Sequence, residues 1–252
     1  MHAATAVLAA AAFTLALAAV AGAQPRGFTG EWHGGPPHGA PFGPPHGQPP
    51  GPPHELPQGP SWTLNPEETE VPPGCTSTLT GTINSGLVVP SGQRYCLVGA
   101  QLEGGVTVTP GAGIVVQASR VDGGLRAEGS NYVRVCDSEI NGPSSVHDGT
   151  KFVMFGDADD DGTPVCGSNL LYGPVTLIHN KGGVEVGGDW ITGPLVLLGN
   201  EGPAFEGTDV GAEVEANHIY GPLACSCNSP EPTNDGLPNV VYGPEWGQCK
   251  GF

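Results

Sequence analysis

A dipeptide, Gly-Gly or Gly-Pro, returns before an apolar stretch throughout the chain after residue 85. It stands at Gly104-Gly105, Gly123-Gly124, Gly142-Pro143, Gly173-Pro174, Gly193-Pro194, Gly221-Pro222 and Gly243-Pro244, with Ser85-Gly86 opening the series. From Gly86 through Gly105 and Gly124 to Pro143 every step is 19 residues, Pro174 to Pro194 is 20, and Pro222 to Pro244 is 22. The steps ending at Pro174 (31) and Pro222 (28) are longer, so each contains an insertion.

Columns appear on either side of this anchor. Three residues before it stand Ile83, Leu102, Val121, Ile140, Leu171, Ile191, Ile219 and Val241, all branched aliphatics. One and three residues after it come Leu87/Val89, Val106/Val108, Leu125/Ala127, Ser144/Val146, Val175/Leu177, Leu195/Leu197 and Leu223/Cys225. Eight before it, the column Leu97, Val116, Val135, Cys166, Val186, Val214 is apolar too. Apolar residues at alternate positions mark strands with one buried face. A unit this short cannot enclose a core alone, but stacked units can. The expected fold is all-β, a right-handed parallel β-helix of about eight coils of 19–22 residues, since parallel crossovers are right-handed by default. Six residues after the anchor, Gly92, Gly111, Ser130, Gly149, Asn180, Asn200 and Asn228 read as left-handed corner residues. Five before it, Asn169, Asp189, Asn217 and Asn239 suggest a polar corner ladder.

The solenoid occupies residues 71–252. Residues 1–23 form an alanine- and leucine-rich run without a charge, ending in Ala21-Gly22-Ala23, and read as a signal peptide cleaved before Gln24. The competing reading is an uncleaved anchor. Residues 24–70 are rich in Pro, Gly and His and hold too little apolar surface to offset ordering, so a disordered linker is expected there. Its His33, His38, His46 and His54 are either weak metal ligands or incidental to a spacer.

The formal charge is −17, with 8 Lys and Arg against 25 Asp and Glu. Phosphate backbones need clustered cations, so nucleic acid is not an expected partner. After residue 23 no run is apolar enough to span a membrane. The 7 cysteines and the leader point to a secreted or cell-surface protein. Coil registry pairs Cys75 with Cys96, Cys136 with Cys166, and Cys225 with Cys249. Cys227 either competes for Cys249 or remains a free thiol, giving a monomer or a disulfide-linked dimer.

The runs CTSTLTGT from Cys75, CGSNL from Cys166, GGVEVGG from Gly182 and GPLAC from Gly221, with GQC ending at Cys249, resemble a family of secreted actinobacterial proteins of unknown function. The resemblance covers residues 71–252 and implies a pectate-lyase-like β-helix and no activity. Cys227 departs from it, since a small residue is the pattern there.

Two features bear on chemistry. Asp157, Asp159 and Asp161 form D-x-D-x-D-G with Gly162. Alternating carboxylates around a glycine suit Ca²⁺, but Ser168 occupies the twelfth position where an EF-hand needs Glu. A non-EF-hand Ca²⁺ loop and a solvated acidic insertion both remain open. The second feature is an outward aromatic set, Tyr172, Trp190, His218, Tyr220 and Tyr242, expected to form a flat platform. Such rings stack on sugars or meet a protein partner, unless another segment covers them. The expected function is a structural or binding solenoid without catalysis, recognising carbohydrate or a protein. The alternative is a Ca²⁺-dependent polysaccharide lyase, for which the basic candidates are Arg120, Arg126 and Arg134.

Overall fold

The structure, a computed structural model, describes residues 74–158, 166–202 and 211–252. The expected signal peptide and the Pro/Gly/His segment lie outside these residues, as do Asp159, Asp161 and most of the second insertion.

The described chain is a parallel β-solenoid of about eight turns, with no α-helix among the described residues. The first coil is β1 (Ser77–Ile83) and β2 (Leu87–Val89), the second β3 (Arg94–Leu102) and β4 (Val106–Val108). Three strands then make each coil: β5 (Gly113–Gln117), β6 (Arg120–Val121) and β7 (Leu125–Glu128); β8 (Tyr132–Cys136), β9 (Glu139–Ile140) and β10 (Ser144–His147); β11 (Phe152–Phe155), β12 (Leu170–Leu171) and β13 (Val175–Ile178). The series continues with β14 (Val184–Gly187), β15 (Trp190–Ile191) and β16 (Leu195–Leu198), then β17 (Glu213–Glu215), β18 (His218–Ile219) and β19 (Leu223–Ser226). The last coil holds β20 (Val240–Val241) and β21 (Glu245–Gly247).

Every recorded strand pair is parallel, and each strand pairs with its counterpart on the next coil. Three faces result. Face one carries β5, β8, β11, β14 and β17; face two β6, β9, β12, β15, β18 and β20; face three β2, β4, β7, β10, β13, β16, β19 and β21. The long β1 and β3 run from face one into face two, which joins those faces into one sheet.

The column three before the anchor lies in the core: Leu102, Val121, Ile140, Ile191 and Ile219 are fully buried. Each such side chain contributes about 1.5–3 kcal/mol relative to leaving it in water. The anchor glycines are explained by stacking. A Cβ on Gly221 would sit 2.5 Å from the carbonyl carbon of Gly193 one coil earlier, and one on Gly123 would collide with the Gly105 backbone. Coils about 4.8 Å apart leave no room there.

Two expectations change. In face one, Val135 pairs with Phe155 and Phe155 with Val186, so Phe155 and not Cys166 fills the inner column; the insertion falls between β11 and β12. At the corner joining face three to face one, the left-handed residue of the later coils is the one before the column that carries Asn. Gly129, Asp148, His179, Gly199 and Cys227 have positive φ, whereas Asn180, Asn200 and Asn228 turn inward and are buried.

Those asparagines form a hydrogen-bonded ladder. The amide N–H of Gly149 donates to Asn180 Oδ1 (2.9 Å), that of Asn180 to Asn200 Oδ1 (3.0 Å), that of Asn200 to Asn228 Oδ1 (3.0 Å), and that of Asn228 to Gln248 Oε1 (2.9 Å). The expected ladder five before the anchor exists at the corner of faces one and two, where Ser119, Ser138, Asn169, Asp189, Asn217 and Asn239 link by the same pattern. Side chains here satisfy backbone donors that a turning strand would leave unpaired in a dry interior.

All three cysteine pairs form disulfides: Cys75–Cys96, Cys136–Cys166 and Cys225–Cys249, with Cα separations of 5.8, 4.9 and 5.3 Å. Cys227 is free and exposed. Cys225 and Cys249 are buried in the core, so this bridge closes the final coil from inside.

Candidate binding faces

Face two carries the sequence-derived aromatic set. Between the inward aliphatics, one outward row runs Gln101, Arg120, Glu139, Leu170, Trp190, His218, Val240 in register. A second outward row, two residues on, runs Glu103, Asp122, Asn141, Tyr172, Thr192, Tyr220, Tyr242. The face is thus polar on its early coils and aromatic on its later ones.

In the polar half Arg120 is committed internally. Its Nε donates to Asp122 (2.6 Å) and its Nη1 meets Glu139 (3.0 Å). Asn141 Nδ2 donates to the same Asp122 oxygen (3.0 Å), and these bonds, Asn141's first and then Arg120's, hold the Asp122 carboxyl below its ordinary pKa. Beside this network, at the corner with face one, lies a groove of about 340 Å³. Its floor is made by the small or left-handed corner residues Gly81, Gly99, Ala118 and Asp137, and one wall by Thr82, Gln101, Arg120 and Glu139.

In the aromatic half the rings stack on one another. Trp190 and His218 lie 4.6 Å apart at 10°, Tyr220 and Tyr242 4.7 Å apart at 7°, and Trp190 meets Tyr220 at 6.1 Å and 31°. This differs from the expected platform. Rings in register on successive strands turn their faces along the solenoid axis, so they present edges to solvent, with one open face at the Tyr242 end. Tyr242 is 59% exposed and Tyr172 38%; Trp190, His218 and Tyr220 are half-buried. Tyr172 makes no ring contact among the described residues. Burial, followed by the neighbouring Tyr242, raises the pKa of the Tyr220 hydroxyl.

Face one departs from simple alternation, because its outward side is buried as well. Val115, Gln117, Arg134, Met154, Glu185 and Glu215 are all below one-tenth exposed. Two small apolar clusters lie on it, one around the Cys136–Cys166 bridge with Phe152 and Met154, the other around Cys96 with Val98 and Val115. Burial lowers the pKa of Arg134, while Tyr132, Asp137, Asp157 and Glu185 act against that shift. Asp157, the first of the three expected Ca²⁺ ligands, is therefore a buried carboxylate in the field of a guanidinium. Its two companions are outside the described residues, and among those described no group of three His, Cys, Asp or Glu is placed to hold a metal.

The basic candidates for a lyase reaction do not converge. Arg120 is on face two, Arg126 on face three paired with Glu128 (3.3 Å), and Arg134 on face one. Sequence reasoning missed a further feature at the corner of faces three and one, where Arg94 stacks on Tyr132; its signal was a glycine, Gly113, at a strand position between them.

Among the described residues no helix is long and apolar enough to cross a membrane. No protein-family model, curated protein or solved structure matches this chain, so its assignment rests on the solenoid and its faces.

Proposed function

We propose that the chain is an extracytoplasmic, non-catalytic binding solenoid that takes an extended carbohydrate along face two. The observation that carries this reading is the continuity of that face. A polar groove on coils one to four leads directly into aromatic residues on coils five to eight, two of which, Tyr172 and Tyr242, remain well exposed. Planar polar groups that bond hydroxyls, followed by the unstacked Tyr172 ring and the open face of Tyr242, which can meet the C–H faces of sugars, suit a neutral or weakly charged glycan. The three disulfides support an oxidising compartment, and the resemblance to secreted actinobacterial proteins belongs to the same reading.

A glycan array followed by calorimetric titration of the mature chain tests it. Tyr172→Ala and Tyr242→Ala remove exposed rings and leave the core intact, and each is expected to weaken binding at least tenfold. Absence of glycan binding, or binding indifferent to both substitutions, would sink the proposal. Turnover of pectin, alginate or hyaluronan would replace it with an enzymatic function.

A further inference from the structure

Where face three meets face one, a second groove of about 310 Å³ runs along the corner of coils one to five. Its lining includes Gly74, Gln93, Arg94, Asn131, Tyr132 and Lys151. Among the described residues both charged groups lining it are cations, and no carboxylate lines it. The chain carries 8 basic residues against 25 acidic ones, so two uncompensated cations in one groove call for a reason.

Packing places them there. Arg94, Gly113 and Tyr132 occupy the same position on three successive coils. A Cβ on Gly113 would come within 3.2 Å of Tyr132 Cβ and 3.4 Å of Arg94 Cγ. With no side chain on that rung, Arg94 reaches across it and lays its guanidinium 4.3 Å from the centre of the Tyr132 ring. Such a contact orients the cation without using its N–H donors. Arg94 has no ion pair among the described residues, and its backbone is tied to Thr76, whose Oγ1 donates to Arg94 O (2.9 Å). Asn131 is committed as well, with Nδ2 donating to Gly111 O (3.0 Å) and Oδ1 accepting from Thr150 (2.7 Å). Lys151 is exposed, likewise without an ion pair among the described residues, and directly precedes Phe152, the next rung of the Tyr132 column.

We propose that this groove binds a ligand bearing two or more oxyanion groups, with the Arg94 guanidinium and the Lys151 ammonium as the contacting cations. A fixed guanidinium edge accepts a carboxylate, sulfate or phosphate in paired hydrogen bonds, and an ammonium on a flexible stem completes the charge balance. The site is on a different corner from the carbohydrate face and stands independently of it.

The test is calorimetric titration of the mature chain with inorganic tripolyphosphate, with trigalacturonate, and with cellotriose as the neutral control. At least one anionic probe is expected to bind, more weakly as salt is raised, while the cellotriose titration is the same for the parent chain, Arg94→Gln and Lys151→Gln. Which anion binds identifies the ligand chemistry. Arg94→Gln and Lys151→Gln are each expected to lower the affinity at least tenfold, and Lys250→Gln, on the last coil, to leave it unchanged. Lys151 is exposed, so that variant keeps its unfolding temperature and separates lost binding from lost fold. No binding of either anionic probe, or binding that survives Lys151→Gln, overturns the proposal.

Discussion

Asp189→Asn is predicted to stabilise the solenoid, by an amount that grows with pH. Asp189 is fully buried in the corner ladder, where its Oδ1 accepts from the Asn169 amide N–H (2.7 Å) and from Asn169 Nδ2 (3.0 Å). Its Oδ2 has no partner. On the flanking rungs the equivalent atom is an amide nitrogen that donates twice: Asn217 Nδ2 to Val186 O (2.8 Å) and to Asn239 Oδ1 (2.9 Å), Asn169 Nδ2 to Val135 O (2.9 Å) and to Asp189. By register the carbonyl that Asp189 Oδ2 faces is that of Phe155, with Asn217 Oδ1 beside it. A carboxylate oxygen set against two acceptors is repelled; a protonated one donates. Burial above all, with the like charge of Asp137 adding, lifts the Asp189 pKa well above its ordinary value, against the Asn169 hydrogen bonds.

The sign follows from linkage. The unfolded chain ionises Asp189 near the ordinary carboxylate value, whereas the folded chain releases the proton only at a higher pH. This residue's contribution is therefore complete below that value and is lost as pH rises towards the folded pKa, at up to about 1.4 kcal/mol per pH unit. An Asn at this rung regains two donor bonds at every pH. At neutral pH the gain is about 1–3 kcal/mol, the cost of leaving a buried polar group unpaired, or roughly 2–4 °C in Tm per kcal/mol for a domain of this size. Thermal unfolding of both proteins between pH 4 and pH 8 measures it. The two curves should nearly meet at the acid end and separate as pH rises. A gap that does not vary with pH, or a less stable variant at pH 7, would refute the reasoning.

Gly123→Ala drives a methyl into the Gly105 backbone and is expected to cost about 1–3 kcal/mol as an overpacking change, read as a lower denaturant midpoint. Asn200→Ala strips acceptors from the Asn180 amide and side chain and the donor from Leu177 O; with several buried groups orphaned, a loss of about 3 kcal/mol in chemical denaturation is expected. Cys227→Ser leaves Tm unchanged, because the thiol is exposed, and removes any disulfide-linked dimer from a non-reducing gel.

The aliphatic column was legible because its spacing repeats almost without drift and each residue has one role, burial. The three disulfides followed from the same spacing. Legibility failed where a residue type serves two purposes. Asn180, Asn200 and Asn228 carry the turn preference of asparagine, yet here the side chain bonds the backbone of the next coil while the preceding residue takes the left-handed conformation. Cys166 satisfied the apolar column numerically, but the insertion before it displaced the register and Phe155 took that place. The aromatic residues were found, whereas the direction their faces point depends on stacking between coils, which spacing along the chain does not encode. Arg94 and Lys151 escaped notice because they are brought to one groove only by the fold and by the missing side chain of Gly113.

The 19-residue step of the early coils makes them interchangeable cassettes. Gly104, Gly123 and Gly142 occupy the same corner position, so excising residues 105–123 would join Gly104 to Gly124 with each strand facing an equivalent neighbour. The last coil offers no such freedom. Its Cys225–Cys249 bridge sits where the next layer of aliphatic side chains would have to pack. Coils can therefore be gained or lost in the middle of the solenoid, whereas the described C-terminal coil is closed from inside by its disulfide.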